Sequence, residues 1–185
     1  MINLGNEYDS IQPLQPGESV RLPAGGYVCI VTNAVVGSSA AGSPLLTIYL
    51  DILEGDFKAH FQNAKFPPRI FQSIFDKNNK PSPYFKGLMK NFENSNSGFS
   101  VSNGYFDEKS LVNKKIGVIF GDVEREYNGK IYTDARPAYA VTVDKIHSND
   151  FKIPDVKKVE STQYKPTAID DDFIGDTIPD SSVPF

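Results

Sequence analysis

The 185-residue sequence predicts a mainly β fold: five strands in one barrel, split by a helical segment and followed by a polar tail. Three observations predict it. Runs rich in β-branched and aromatic residues recur along the chain, most of them alternating apolar with polar at period two. Asn128-Gly129, set between two such runs, is a strong two-residue hairpin signal. Apolar residues at helical spacing fall between residues 67 and 92, dividing the strands into two groups.

Residues 1–24 are polar, carry Pro13, Pro16 and Pro23, and read as an irregular lead-in. Residues 27–36 form the first strand, after which Gly37 to Pro44 is a run of small residues suited to a loop. The second strand spans 45–53, with Leu46, Ile48, Leu50 and Ile52 on its apolar face and Thr47, Tyr49 and Asp51 on the other. Glu54-Gly55-Asp56 reads as a turn. The next run, 57–62, is therefore expected to pair back as a third strand, with Phe57, Ala59 and Phe61 alternating with Lys58, His60 and Gln62. Pro67-Pro68 is expected to open a short helix carrying Ile70, Phe71, Ile74 and Phe75. A second helix starts at Pro83, with Phe85, Leu88, Met89 and Phe92 on one stripe, and stops before Gly98. Residues 115–121 are the fourth strand, the arms around Asn128-Gly129 form an extended hairpin, and 138–146 is the fifth strand. Five strands with a helical insert between the third and fourth, and a long hairpin between the fourth and fifth, is the order of an OB-type Greek-key barrel. The barrel domain is expected to span 25–155, with 156–185 as an acidic tail too poor in apolar residues to offset the entropy of ordering.

Charge is unevenly spread. The net −4 divides into −5 from Asp170, Asp171, Asp172, Asp176 and Asp180 and +1 from the remaining 165 residues. Residues 58–90 hold seven basic side chains against Asp76, a local +6. Cations beside aromatic rings are what a single nucleic-acid strand requires: the cations track phosphates, and bases stack on the rings at about 1–3 kcal/mol each. On an OB-type barrel the middle strands and the late hairpin carry such a surface. The candidate binding residues are therefore Tyr49, Lys58, His60, Lys65, Arg69, Lys77 and Lys80, joined by Arg125, Tyr127, Lys130, Tyr132 and Arg136 from the hairpin. Phe57, Phe61 and Phe71 are assigned to the core.

The chemistry of enzymes is not legible. No phosphate-binding GxxxxGK[ST] loop occurs, and two histidines with one cysteine make no zinc set. Asp122, Glu124 and Glu126 alternate around Arg125 and read as a solvated strand face rather than a metal site, which would otherwise imply a nuclease. Neither a catalytic residue, a cofactor nor a metal is expected. Cys29 stands alone, excludes an internal disulfide and fits a reducing cytoplasmic setting as a buried strand residue. No apolar run approaches the length of a membrane span, and no signal peptide is expected at the N-terminus.

The tail residues Asp170, Asp171, Asp172 and Phe173, followed by Val183-Pro184-Phe185, resemble the acidic C-terminal tip of bacterial single-stranded-DNA-binding proteins. The body is similar to small OB-type proteins from the replication and recombination regions of phages of Gram-positive bacteria. That similarity is carried by Pro83-Tyr84-Phe85-Lys86-Gly87, Ile116-Gly117-Val118-Ile119-Phe120-Gly121, Tyr127-Asn128-Gly129-Lys130 and Asp150-Phe151-Lys152-Ile153-Pro154. The resemblance implies sequence-tolerant single-stranded DNA binding in phage DNA replication or recombination. It also implies that the tail recruits replication and recombination enzymes. From its charge alone, the acidic run is expected to lie in the domain's own cationic groove and compete with DNA for it. The longer helical insert and hairpin argue against a bacterial-style tetramer, so a dimer is the expected homo-oligomer. The rival expectation is a protein–protein adaptor domain that never holds nucleic acid, a reading that gains if Tyr49, Tyr127 and Tyr132 all point into the core.

Overall fold

The computed structural model of the chain describes residues 5, 21–101 and 105–159. The chain forms one five-stranded antiparallel sheet in the order β3-β2-β1-β4-β5, built from β1 (Gly25–Ser38), β2 (Pro44–Ile52), β3 (Arg69–Ser73), β4 (Lys115–Tyr127) and β5 (Lys130–Val141). Helix α1 (Pro83–Ser95) lies between β3 and β4, and the short helix α2 (Val143–His147) follows β5. The sheet is mainly β as expected but is not closed: β3 and β5 are its edges. Helix α1 contacts β3, β4 and β5 and fills the space between them. No described helix is long and apolar enough to cross a membrane.

Period-two alternation sets the core. Leu46, Ile48, Leu50 and Ile52 turn one way from β2 and are buried, as their spacing predicts. They meet Val31 and Ala34 of β1, Ile116, Val118 and Phe120 of β4, and the stripe Phe85, Leu88, Met89 and Phe92 of α1. Burying side chains as large as Phe92 and Phe120 contributes roughly 2–3 kcal/mol apiece. Pro83 occupies the first turn of α1, where its missing N–H costs no hydrogen bond. The helix ends at Asn96, whose amide donates to the Phe92 carbonyl (2.9 Å) and the Lys115 carbonyl (2.8 Å) and accepts from the Lys115 N–H (2.8 Å). One side chain thus ties the end of α1 to the start of β4.

Three elements differ from the sequence expectation. Residues 57–62 form successive turns rather than a strand, with Lys58, His60, Gln62 and Ala64 N–H groups each bonded to the carbonyl three residues earlier. Turns bring Phe57 and Phe61 to the same side, where both pack on the core, and Ala59 adopts φ +58°. Asp51 holds the segment in place, accepting from the Ile52 N–H (2.8 Å) and the Phe61 N–H (2.9 Å). The third strand is instead Arg69–Ser73, where a helix was expected. Its five residues are too few for helical and strand spacing to be told apart, and β2 offers them a paired edge. The last strand stops at Val141 rather than Ile146 because the chain turns into α2 there. Phe71, expected in the core, lies on the opposite side of β3 from Ile70 and is 56% exposed.

The outward side of β1 and β4 is covered by the chain after β5. Gly26, Gly117 and Gly121 let this segment lie against the sheet: a Cβ there would sit 2.5 Å from Phe151, 2.6 Å from Ile146 and 2.6 Å from Pro154, respectively. Lys157 then pairs in parallel with β4 at Val123, its N–H bonding the Asp122 carbonyl and its carbonyl the Glu124 N–H.

Candidate nucleic-acid interface

The face of β2 and β3 turned away from the core is set by register. Tyr49 stands opposite Arg69 and Thr47 opposite Phe71, while Ile48 and Ile70 pair on the inner side. The Arg69 guanidinium lies 5.9 Å from the Tyr49 ring centroid and 5.4 Å from that of Phe71. A planar cation beside two rings on a half-exposed sheet is stabilised by the ring quadrupoles. Just before β3, Lys65 lies 5.6 Å from the ring of Phe66, which is 76% exposed. Phe66 and Phe71 carry no expectation of binding in the sequence reading. The signal that finds Phe71 is the register, since a residue opposite Thr47 must share its outward face.

The hairpin forms a second group. Asn128 and Gly129 both adopt positive φ, 52° and 71°, as the tight turn requires. Arg125 stands opposite Tyr132 and Tyr127 opposite Lys130, so all four share one face. The Arg125 guanidinium lies 5.2 Å from the Tyr132 ring, and its Nε donates to Asp134 at 2.5 Å. Tyr127 and Tyr132 are 60% and 42% exposed, and Tyr49 is half-buried, so none of the three points into the core.

The remaining predicted residues are dispersed. Lys58 and His60 belong to the 57–62 turns, where His60 packs edge-on against Phe57 and Phe61 at 5.8 and 4.7 Å. Lys77 and Lys80 sit past the other end of β3, in a turn held by Asp76, which accepts from the Asn78 N–H and the Lys80 N–H. The basic stretch 58–90 is therefore divided by β3 rather than gathered in one patch. Arg136 stands opposite Gly121, beside Pro154. Among the described residues, Lys58, Lys65, Arg69, Lys77, Lys80, Lys130 and Arg136 have no carboxylate within ion-pair distance, whereas Arg125 pairs with Asp134. Unpaired cations are free to meet phosphates.

Asp122 pairs with Arg21, and among the described residues no three His, Cys, Asp or Glu side chains cluster as metal ligands. Cys29 is fully buried in β1; burial, and secondarily the charge of Asp51, pushes its thiol pKa far up, so it stays protonated and unreactive. The tail residues Asp170, Asp171, Asp172, Phe173, Val183, Pro184 and Phe185 lie outside the described residues. No protein-family model and no curated protein matches the chain at significant similarity.

Proposed function

We propose that this domain is an OB-type module that holds single-stranded DNA in a sequence-tolerant manner on the outward face of β2 and β3, with the β4–β5 hairpin as a second group of cations and rings. The observation that carries the reading is Arg69 within 6 Å of the rings of both Tyr49 and Phe71 on a solvent-facing side of the sheet. Such a surface offers stacking to any base and a cation to any phosphate without reading base edges. The OB-type assignment draws support from the strand order, from the long β1 shared between β2 and β4, and from α1 lying between β3 and β4. The adaptor reading would gain from tyrosines turned into the core, whereas Tyr127 and Tyr132 are exposed. A role in phage replication or recombination, and recruitment of partner enzymes by the acidic tail, complete the reading and rest on the resemblance of the sequence.

Fluorescence polarisation with labelled poly-dT, against duplex of equal length, tests it. Binding is expected to favour the single strand, with log affinity falling by about 0.7 per log unit of salt for each phosphate neutralised. A chain lacking residues 166–185 is expected to bind more tightly, because five aspartates no longer compete for the cations. Equal binding of duplex, or a flat response to salt, rejects the reading.

A further inference from the structure

Five non-glycine residues among those described adopt positive φ, and four of them are asparagines: Asn79, Asn113, Asn128 and Asn149. The side-chain amide carbon of an asparagine lies within reach of the next residue's main-chain nitrogen, and attack by that nitrogen closes a five-membered imide. What the fold does with the following N–H therefore bears on whether the asparagine lasts. At three of the four positions that N–H is held. After Asn79, Lys80 donates to the Asp76 carboxylate (2.9 Å). After Asn113, Lys114 donates to the Leu111 carbonyl (3.0 Å), and after Asn149, Asp150 donates to the Lys145 carbonyl (3.0 Å).

At Asn128 it is not held. β4 ends at Tyr127 and β5 begins at Lys130, and these two residues pair with each other, so Gly129 lies in the loop outside the ladder. Among the described residues its N–H has no acceptor. Asn128 and Gly129 are both exposed, and a Cβ built on Gly129 would meet nothing within 4 Å. The nitrogen is therefore screened neither by a neighbouring segment nor by a side chain of its own.

We propose that Asn128-Gly129 is a self-modification site, at which the loop nitrogen attacks the Asn128 amide and water completes the conversion to aspartate and isoaspartate. The Gly129 nitrogen gives its proton to solvent base and bonds to Asn128 Cγ. The bond from Cγ to the side-chain nitrogen breaks, and that nitrogen takes up a proton and leaves as ammonia. Water then opens the imide. Cleavage between the Gly129 nitrogen and Cγ gives aspartate, and cleavage between that nitrogen and the Asn128 main-chain carbonyl carbon gives isoaspartate. Water is the only co-reactant, and nothing is oxidised or reduced. Either product brings a carboxylate to the loop beside Lys130, on the hairpin that carries Arg125, Tyr127 and Tyr132. Isoaspartate also adds a main-chain atom to a loop built for two α-linked residues, which opposes the Tyr127–Lys130 pairing. The inference stands apart from the nucleic-acid reading, since its evidence is the loop and its readout is the mass of a peptide.

Peptide mapping of the full chain, incubated folded at neutral and at mildly alkaline pH, tests it. Tryptic cleavage after Arg125 and Lys130 isolates residues 126–130 from the second Asn-Gly of the sequence, Asn103-Gly104, which lies outside the described residues. The 126–130 fragment is expected to gain the mass of an amide-to-acid exchange and to resolve into aspartyl and isoaspartyl forms. Conversion is expected to be faster at the higher pH, because the attacking species is the deprotonated nitrogen. Its rate in the folded chain is expected within about tenfold of the rate in a synthetic peptide of residues 125–132, since a hairpin tip opens at little cost. A fragment that stays intact in the folded chain while the peptide converts, or a rate that does not respond to pH, overturns the proposal.

Discussion

If the outward face of β2 and β3 holds a single strand as proposed, Phe71→Ala and Arg69→Ala separate the two physical terms of that binding. Phe71 is 56% exposed and lies outside the core cluster, so its truncation is expected to change folding stability by less than about 1 kcal/mol. The lost ring is a lost stacking partner, worth about 1–3 kcal/mol, which raises Kd by about 5- to 150-fold. Because the ring bears no charge, the dependence of log Kd on log salt is expected to keep its slope. Arg69→Ala removes a guanidinium that lies within 6 Å of both Tyr49 and Phe71, so it loses a phosphate contact and also releases two rings. Its Kd is expected to rise by a similar factor while the slope falls by about 0.7. The assay is polarisation of labelled poly-dT at four salt concentrations, with thermal unfolding as a control on the fold. If Phe71→Ala binds within twofold of wild type, or if Arg69→Ala leaves the slope unchanged, the Tyr49–Arg69–Phe71 face is not the binding surface.

Asp51→Ala removes the acceptor of the Ile52 and Phe61 N–H groups and is expected to cost about 1–3 kcal/mol in denaturant unfolding, with Asp51→Asn costing less because its carbonyl still accepts. Gly117→Ala places a Cβ 2.6 Å from Ile146 and 2.7 Å from the Thr142 carbonyl, so a loss of about 1–3 kcal/mol is expected, with faster hydrogen exchange across α2. The Val101 N–H bonded to Glu93, and then Lys90 beside it, hold the Glu93 carboxyl below the usual range. A depressed folded-state pKa stabilises the fold above the unfolded value near 4.5 and loses that contribution as pH falls below it. The difference in thermal unfolding between wild type and Glu93→Gln is therefore expected to be present at neutral pH and to vanish as pH drops below the unfolded value.

Much of the fold was legible because local chemistry and tertiary context agree. The buried face of β2, the stripe of α1 and the Asn128-Gly129 turn each follow from spacing or backbone preference that no neighbour opposes. The segment 57–75 departs from its expected elements because short apolar runs satisfy more than one period. Phe57, Ala59 and Phe61 alternate as a strand would, yet four residues of turn also place Phe57 and Phe61 on one side. Which alternative wins depends on Asp51, ten residues before Phe61, offering its carboxylate to the Phe61 N–H.

The candidate site divides in the same way. By itself, the sequence determined that cations and rings are enriched in residues 58–90 and in the hairpin, and that one cysteine and two histidines make no zinc set. Only the tertiary structure decided which of those residues meet. Pairing with β2 turned Phe71 outward beside Arg69, while β3 separated Lys58 and Lys65 from Lys77 and Lys80. Composition and period are properties of the chain read along its length. Register is a choice between strands, settled by which edge is free to accept hydrogen bonds and which face can be buried.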